Sequence, residues 1–111
     1  MQDTVSSFIP DYGQEKLTFE QVSTLPGDVI LEFGAPWCEH CKMAFPAIQE
    51  VLIACNDKTH IKVYDGKGKR LGRAFKVKLW PTLIFLRDGK EVSRIVRPVS
   101  VQQVHQFVGL K

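Results

Sequence analysis

The chain has 111 residues, 44% apolar and 24% charged, which suits one folded domain with a modest core and leaves little room for a long disordered tract. Its 15 Lys plus Arg against 12 Asp plus Glu leave a net charge of +3, spread singly or in pairs as in Lys67-Gly68-Lys69-Arg70, so no nucleic acid partner is expected. The longest apolar stretches are only strand length, so no membrane span is expected either.

Residues 1–16 are polar with isolated apolar positions and read as a loose lead-in to a single domain over 17–111. They lack a basic start followed by an apolar core, and so do not read as a secretory signal. The cytoplasm, a reducing compartment, is the expected location. Leu17 to Leu25 is ambiguous: Thr18 or Ser23 caps a helical turn, or Leu17 to Phe19 adds an edge strand. Pro26-Gly27-Asp28 is a turn. Val29 to Phe33 reads as a strand with apolar residues on both faces, as in a sheet covered on both sides, and Glu32 interrupts it.

Gly34-Ala35-Pro36 ends that strand. A helix is expected from Cys38 to about Asn56, with Met43, Ile48, Val51, Leu52 and Cys55 at spacings of three or four and Ala44 and Ala47 beside them. Pro46 inside it removes one backbone donor and predicts a kink. His60 to Asp65 is a second strand, Lys67 to Phe75 a short helix or irregular link, and Thr82 to Leu86 a third strand. Asp88-Gly89 centres a hairpin turn into a returning strand, Glu91 to Arg97, whose alternation is imperfect. Ser100 caps a last helix lined by Val101, Val104, Phe107 and Val108. The order predicts an α/β domain: a small mixed sheet with helices on both faces.

Cys38 and Cys41 stand three apart at the expected helix start. A structural zinc site needs four ligands. Cys55 lies roughly 20 Å farther along the helix at ~1.5 Å per residue, so a metal would need oligomerisation or a remote histidine from among His40, His60 and His105. A redox reading accounts for more. The unsatisfied N–H groups of a helix start favour an anion, and so a thiolate. Cys38, nearer the start and expected to be the more exposed, would attack a substrate disulfide, and Cys41 would resolve the mixed disulfide. Between them, a protonated His40 would favour the Cys38 thiolate and Glu39 would oppose it, unless both face solvent. Cys55 reads as a small buried apolar residue.

With Phe33, Ala35-Pro36-Trp37-Cys38, Cys41-Lys42-Met43 and Pro46, followed by Val77, Trp80-Pro81-Thr82 and Asp88-Gly89, the sequence resembles the thioredoxin family from about Leu17 to its C-terminus. The resemblance implies a thioredoxin-like fold, a central mixed β-sheet with helices on both faces. It also implies a cis Pro81 facing the dithiol, with the backbone at Trp80 pairing with the substrate chain and the Trp80 side chain shaping the groove. Glu32 then matches the family's buried acid beneath the second cysteine, where Asp is usual. There it would accept the proton that Cys41 loses, with Lys62 facing it as modulator.

The departures from the family are Glu39-His40 for Gly-Pro, Gly34 for the first of two tryptophans, and Arg97-Pro98 for Gly-Ala. Trp37 is retained. The space left at Gly34 is either filled by Trp80 or open, and Arg97 either contacts acidic substrate groups or is surface charge. The expected function is protein thiol–disulfide exchange, as a specialised reductase with no organic cofactor and no metal. Its substrates would be protein disulfides, and a flavoprotein reductase or another thiol carrier would recharge it. The alternatives are a partner-binding or assembly module with an idle dithiol, and a more oxidising oxidase or isomerase. The sequence leaves the oligomeric state open.

Overall fold

Four strands form one sheet in the computed structural model, which describes residues 8–67 and 69–109. In chain order the elements are α1 (Phe19–Ser23), β1 (Asp28–Gly34), α2 (Glu39–Leu52), β2 (Thr59–Tyr64), α3 (Arg70–Ala74), β3 (Thr82–Arg87), β4 (Lys90–Val96) and α4 (Val101–Phe107). The strands lie in the order β2-β1-β3-β4. β1 runs parallel to β2 and antiparallel to β3, and β3 and β4 form a hairpin. The sheet is therefore mixed, as the sequence pattern predicts. No helix among the described residues is long and apolar enough to cross a membrane.

The two faces follow from the strand period of two. Val29, Leu31 and Phe33 of β1 point to one side, where they join Val22, Val63, Leu71, Ile84 and Leu86. Ile30 points to the other side, with Leu83 and Phe85, under Ala44, Ala47, Ile48, Val51 and Leu52 of α2 and Val104 and Phe107 of α4. Glu32 has the parity of Ile30, so its side chain lies on the α2 face.

Two expected boundaries move. The long helix ends at Leu52 rather than near Asn56, because Ala54 and Cys55 make tight bonds back to Val51 and Leu52. Met43 is 63% exposed rather than core. The buried stripe is Ala44, Ala47, Ile48, Val51 and Leu52, a strict three-and-four spacing that puts Met43 one position off the face. The helix passes unbroken through Pro46.

The ambiguous Leu17–Leu25 segment resolves to a helical turn. Thr18 caps it through a reciprocal box with Gln21. α4 opens on the same device, Ser100 with Gln103. The imperfect alternation in β4 is a register shift: Phe85 pairs with Ser93 and Leu86 with Glu91, so Val92 is left without a pairing partner. The hairpin turn has positive φ at both centres, 51° at Asp88 and 83° at Gly89, the turn that matches strand twist. A Cβ at Gly89 would also collide with the Ser23 carbonyl.

The segment that reads as a loose lead-in is docked over its described part; its first seven residues lie outside the described ones. Gly13 forms a bridge with Val63 on the outer edge of β2, its amide donating to the Lys62 carbonyl at 3.0 Å and its carbonyl accepting from the Tyr64 amide at 2.7 Å. Phe8 stacks on the His60 ring at 5.3 Å. Backbone pairing and this ring contact, rather than a hydrophobic period, hold the segment, which is why periodicity does not reveal it.

Candidate active site

Cys38 is the N-cap of α2. Its extended backbone turns the chain into the helix, and its Sγ accepts a hydrogen bond from the Cys41 amide at 3.2 Å. A sulfur in the place normally taken by a Ser or Asp oxygen sits where unsatisfied N–H groups and the helix dipole favour negative charge. The cysteines are not joined by disulfides. The expected contrast in exposure is absent: Cys38 is 8% and Cys41 5% exposed. Tyr12, Tyr64 and Trp80 pack against the small cluster of Ala35 and the two cysteines.

Burial first, and then the hydrogen bond with Cys38, push the Cys41 thiol up to about 11, against smaller lowering effects from the Tyr12 hydroxyl and the Ala35 backbone. Cys41 therefore carries its proton at neutral pH, and its use as a nucleophile calls for a base.

Glu32 is the buried carboxylate that β1 contributes. It is 2% exposed and lies on the α2 face of β1. β2 delivers two partners on the same face, since Glu32 is in register with Lys62 and Ile30 with His60. His60 Nε2 lies 2.9 Å from Glu32 Oε1, and Lys62 Nζ lies 3.8 Å from Oε2. His60 Nδ1 accepts from the Ile9 amide at 2.8 Å, so its proton is on Nε2 and the ring donates to the carboxylate as a neutral group. Lys62 also donates to the Pro10 carbonyl at 2.6 Å and lies over the Tyr12 ring, 4.4 Å from its centroid. The Tyr12 hydroxyl donates to Glu32 Oε2 at 3.3 Å.

The space at Gly34 is filled, but by neither of the expected means. A Cβ there would stand 2.7 Å from Cys41 Sγ and collide with the Tyr12 hydroxyl, so tyrosine and sulfur share the room that glycine leaves. Trp80 lies elsewhere. Its indole meets Trp37 edge-on at 5.4 Å, and its Nε1 donates to the Asp65 carboxylate at 2.9 Å. The Trp80–Pro81 peptide bond is cis. Trp37 is 60% exposed. Arg97, with φ +53°, donates through Nε to the Trp80 carbonyl at 2.8 Å.

Glu39 and His40 are exposed, and Glu39 pairs with Lys42 at 3.4 Å. An exposed pair of this kind contributes little. Cys55 is buried at the end of α2, its thiol donating to the Val51 carbonyl at 3.3 Å. Among the described residues no three His, Cys, Asp or Glu side chains gather as a metal-ligand group.

The structure thus brings together Cys38, Cys41, Glu32 and Lys62, with Trp37, Trp80, Pro81 and Arg97 beside them. The sequence assigns no role to Tyr12 or Asp65, and offers His60 only as a remote metal ligand. His60 had a signal, since it stands two residues before Lys62 and shares its face. Tyr12 had none, because its contact depends on how the N-terminal segment docks.

Comparison with known proteins agrees with this geometry. The thioredoxin family model matches residues 14–109. Thioredoxin-2 of Saccharomyces cerevisiae is 34% identical over 77 residues, 68% of this chain and 74% of that protein. Thioredoxin H2-1 of Oryza sativa is 35% identical over 68 residues, and the match spans 61% of this chain but only 49% of the rice protein. The reduced structure of thioredoxin 2 from Pseudomonas aeruginosa superposes with a TM-score of 0.78 at 44% identity, covering 91% of this chain and 97% of that one.

Proposed function

Since this chain belongs to the thioredoxin family, we propose that it is a protein thiol–disulfide oxidoreductase working through a reversible Cys38/Cys41 couple. Cys38 is the nucleophile: its thiolate attacks a substrate disulfide, the substrate S–S bond breaks, and one substrate thiol leaves. Cys41 then attacks the sulfur of Cys38, forming the intramolecular disulfide and releasing the second substrate thiol. The observation that carries this reading is the Cys38 sulfur acting as cap of α2, 3.2 Å from the Cys41 amide.

Glu32 accepts the Cys41 proton, and Lys62 balances the charge. The cis Trp80–Pro81 segment offers backbone to an extended substrate, flanked by the exposed Trp37. The substrates are protein disulfides, and a reductase or another thiol carrier returns the electrons. We assign the net direction as reduction in a cytoplasmic setting, with specialised rather than general partners. Gly34, Glu39-His40 and Arg97-Pro98 support that specialisation, since all of them lie around the dithiol.

Equilibration of the pair against graded ratios of reduced and oxidised glutathione, read by intrinsic tryptophan fluorescence, tests the reading. It should give one reversible two-electron transition per chain, abolished by Cys38→Ser. A chain with no such transition is not a redox carrier. A transition at a much more oxidising poise than the cytoplasmic glutathione pool would reverse the assigned direction.

A further inference from the structure

Resting on the redox reading above, we propose that Tyr12 is a further catalytic residue, whose hydroxyl carries the Cys41 proton to Glu32 during resolution of the mixed disulfide. Tyr12 lies outside the residues matched by the family model, which begin at 14. It nevertheless reaches the centre of the site. Its hydroxyl and Cys41 Sγ both border the point where a Gly34 Cβ would stand, and the hydroxyl donates to Glu32 Oε2 at 3.3 Å.

A phenol has one proton to give and lone pairs to receive another, so it can accept from a thiol while donating to a carboxylate. Gly34 makes the juxtaposition possible, since any side chain there would wedge between hydroxyl and sulfur. The ring is held by the Lys62 ammonium, 4.4 Å from its centroid.

The surroundings fix where the proton ends. Glu32 Oε1 is occupied by His60 Nε2–H at 2.9 Å, and His60 Nδ1 is engaged by the Ile9 amide, so the imidazole is a donor with no vacant lone pair. Lys62 only donates. The Oε2 oxygen facing Tyr12 is the acceptor. In the step, Cys41 Sγ forms its bond to Cys38 Sγ, and the bond from Cys38 to the substrate sulfur breaks. The electron pair leaves on that substrate sulfur, which takes a proton from water. At the same time the Cys41 proton passes to the Tyr12 oxygen, and the tyrosine's own proton passes to Glu32. Reduction of the disulfide returns both protons by the reverse path.

The test is stopped-flow kinetics on the full chain with a peptide disulfide, comparing wild type, Tyr12→Phe, Glu32→Gln and the double variant. Capture is read separately in a Cys41→Ser background. Tyr12→Phe keeps the ring and should slow resolution by about tenfold or more, with capture unaltered. The double variant should be no slower than the slower single one, because both act on one path. In mixtures of light and heavy water, wild-type resolution should depend on two protons in flight. Unchanged resolution in Tyr12→Phe, independent and multiplicative losses, or a one-proton dependence in wild type each overturn the proposal. Failure of wild type to form any mixed disulfide would instead remove the redox reading on which it rests.

Discussion

Arg97 Nε donates to the carbonyl oxygen of Trp80 at 2.8 Å, closing off an acceptor on the backbone immediately before Pro81. A charge-assisted bond of this kind holds the two segments together, and the Arg97 amide adds a second link to the Pro81 carbonyl at 2.9 Å. Arg97 adopts φ +53°, where glycine carries no penalty. Arg97→Gly should therefore fold well and free the Trp80 carbonyl. One hydrogen bond of about 1 kcal/mol corresponds to a rise of about fivefold in kcat/KM for an extended peptide disulfide. A fall instead, confined to acidic substrates, would mean that the guanidinium itself contacts substrate.

Gly34 is set by space. Gly34→Ala puts a methyl 2.7 Å from Cys41 Sγ and against the Tyr12 hydroxyl. Urea unfolding should show a loss of about 1–3 kcal/mol, the usual cost of overpacking. Combining it with Tyr12→Phe, which deletes the colliding oxygen, should recover part of that loss. A neutral Gly34→Ala variant would mean that Tyr12 and Cys41 move apart easily.

Glu32 accepts from Tyr12 and His60 and pairs with Lys62 at 3.8 Å, so deleting it leaves all three without that partner in a site where the Lys62 and Glu32 side chains are 3% and 2% exposed. Glu32→Ala should lower stability by about 3–5 kcal/mol, as when one member of a buried pair is removed. It should also slow resolution while sparing capture. Equal slowing of both steps in single-turnover experiments would deny Glu32 its role as proton acceptor.

The acid limb of the stability profile should depend on Asp28. Its hydrogen bonds from Arg87, at 2.9 and 3.3 Å, hold its carboxyl below the model-compound value of 3.8, with Lys58 adding to the effect. A lowered carboxyl contributes stability that is present above the unfolded value and lost as pH falls through the folded one. Asp28→Asn should therefore lower the unfolding midpoint at neutral pH and flatten the loss below about pH 4. Arg87 is 58% exposed, so salt should shrink the difference.

The alkaline limb carries the opposite sign. Burial raises the Cys41 thiol from 9.0 to about 11 and also raises the Tyr12 phenol and the Cys55 thiol. Groups raised on folding stabilise fully below their unfolded values, and that contribution is lost as pH rises. Stability of the reduced chain should decline from about pH 9 upward. Tyr12→Phe should remove the tyrosine share of the decline, as read from urea midpoints between neutral and alkaline pH.

Much of the fold was legible because it is written in local chemistry. The strands announce themselves by apolar runs, the hairpin by Asp88-Gly89, and the last helix by Ser100, whereas Thr18 left its segment open between a helical turn and an edge strand. The dithiol was legible for the same reason, since Cys38 and Cys41 share one helical turn. Glu32 drew notice as a charge inside an apolar strand. Met43 misled because spacing alone does not say which of two adjacent stripes faces the sheet.

What the sequence determined by itself was the set of elements and the chemistry carried within one of them, because capping, periodicity and a two-residue gap between cysteines are properties of neighbours along the chain. What only the tertiary structure decided was the company kept beneath Cys41. Tyr12, Glu32, His60 and Lys62 come from three separate segments, and they meet because β2 lies parallel to β1 in one register and the N-terminal segment docks along β2. Hydrogen-bond distances between such segments depend on register and docking, which no local pattern encodes.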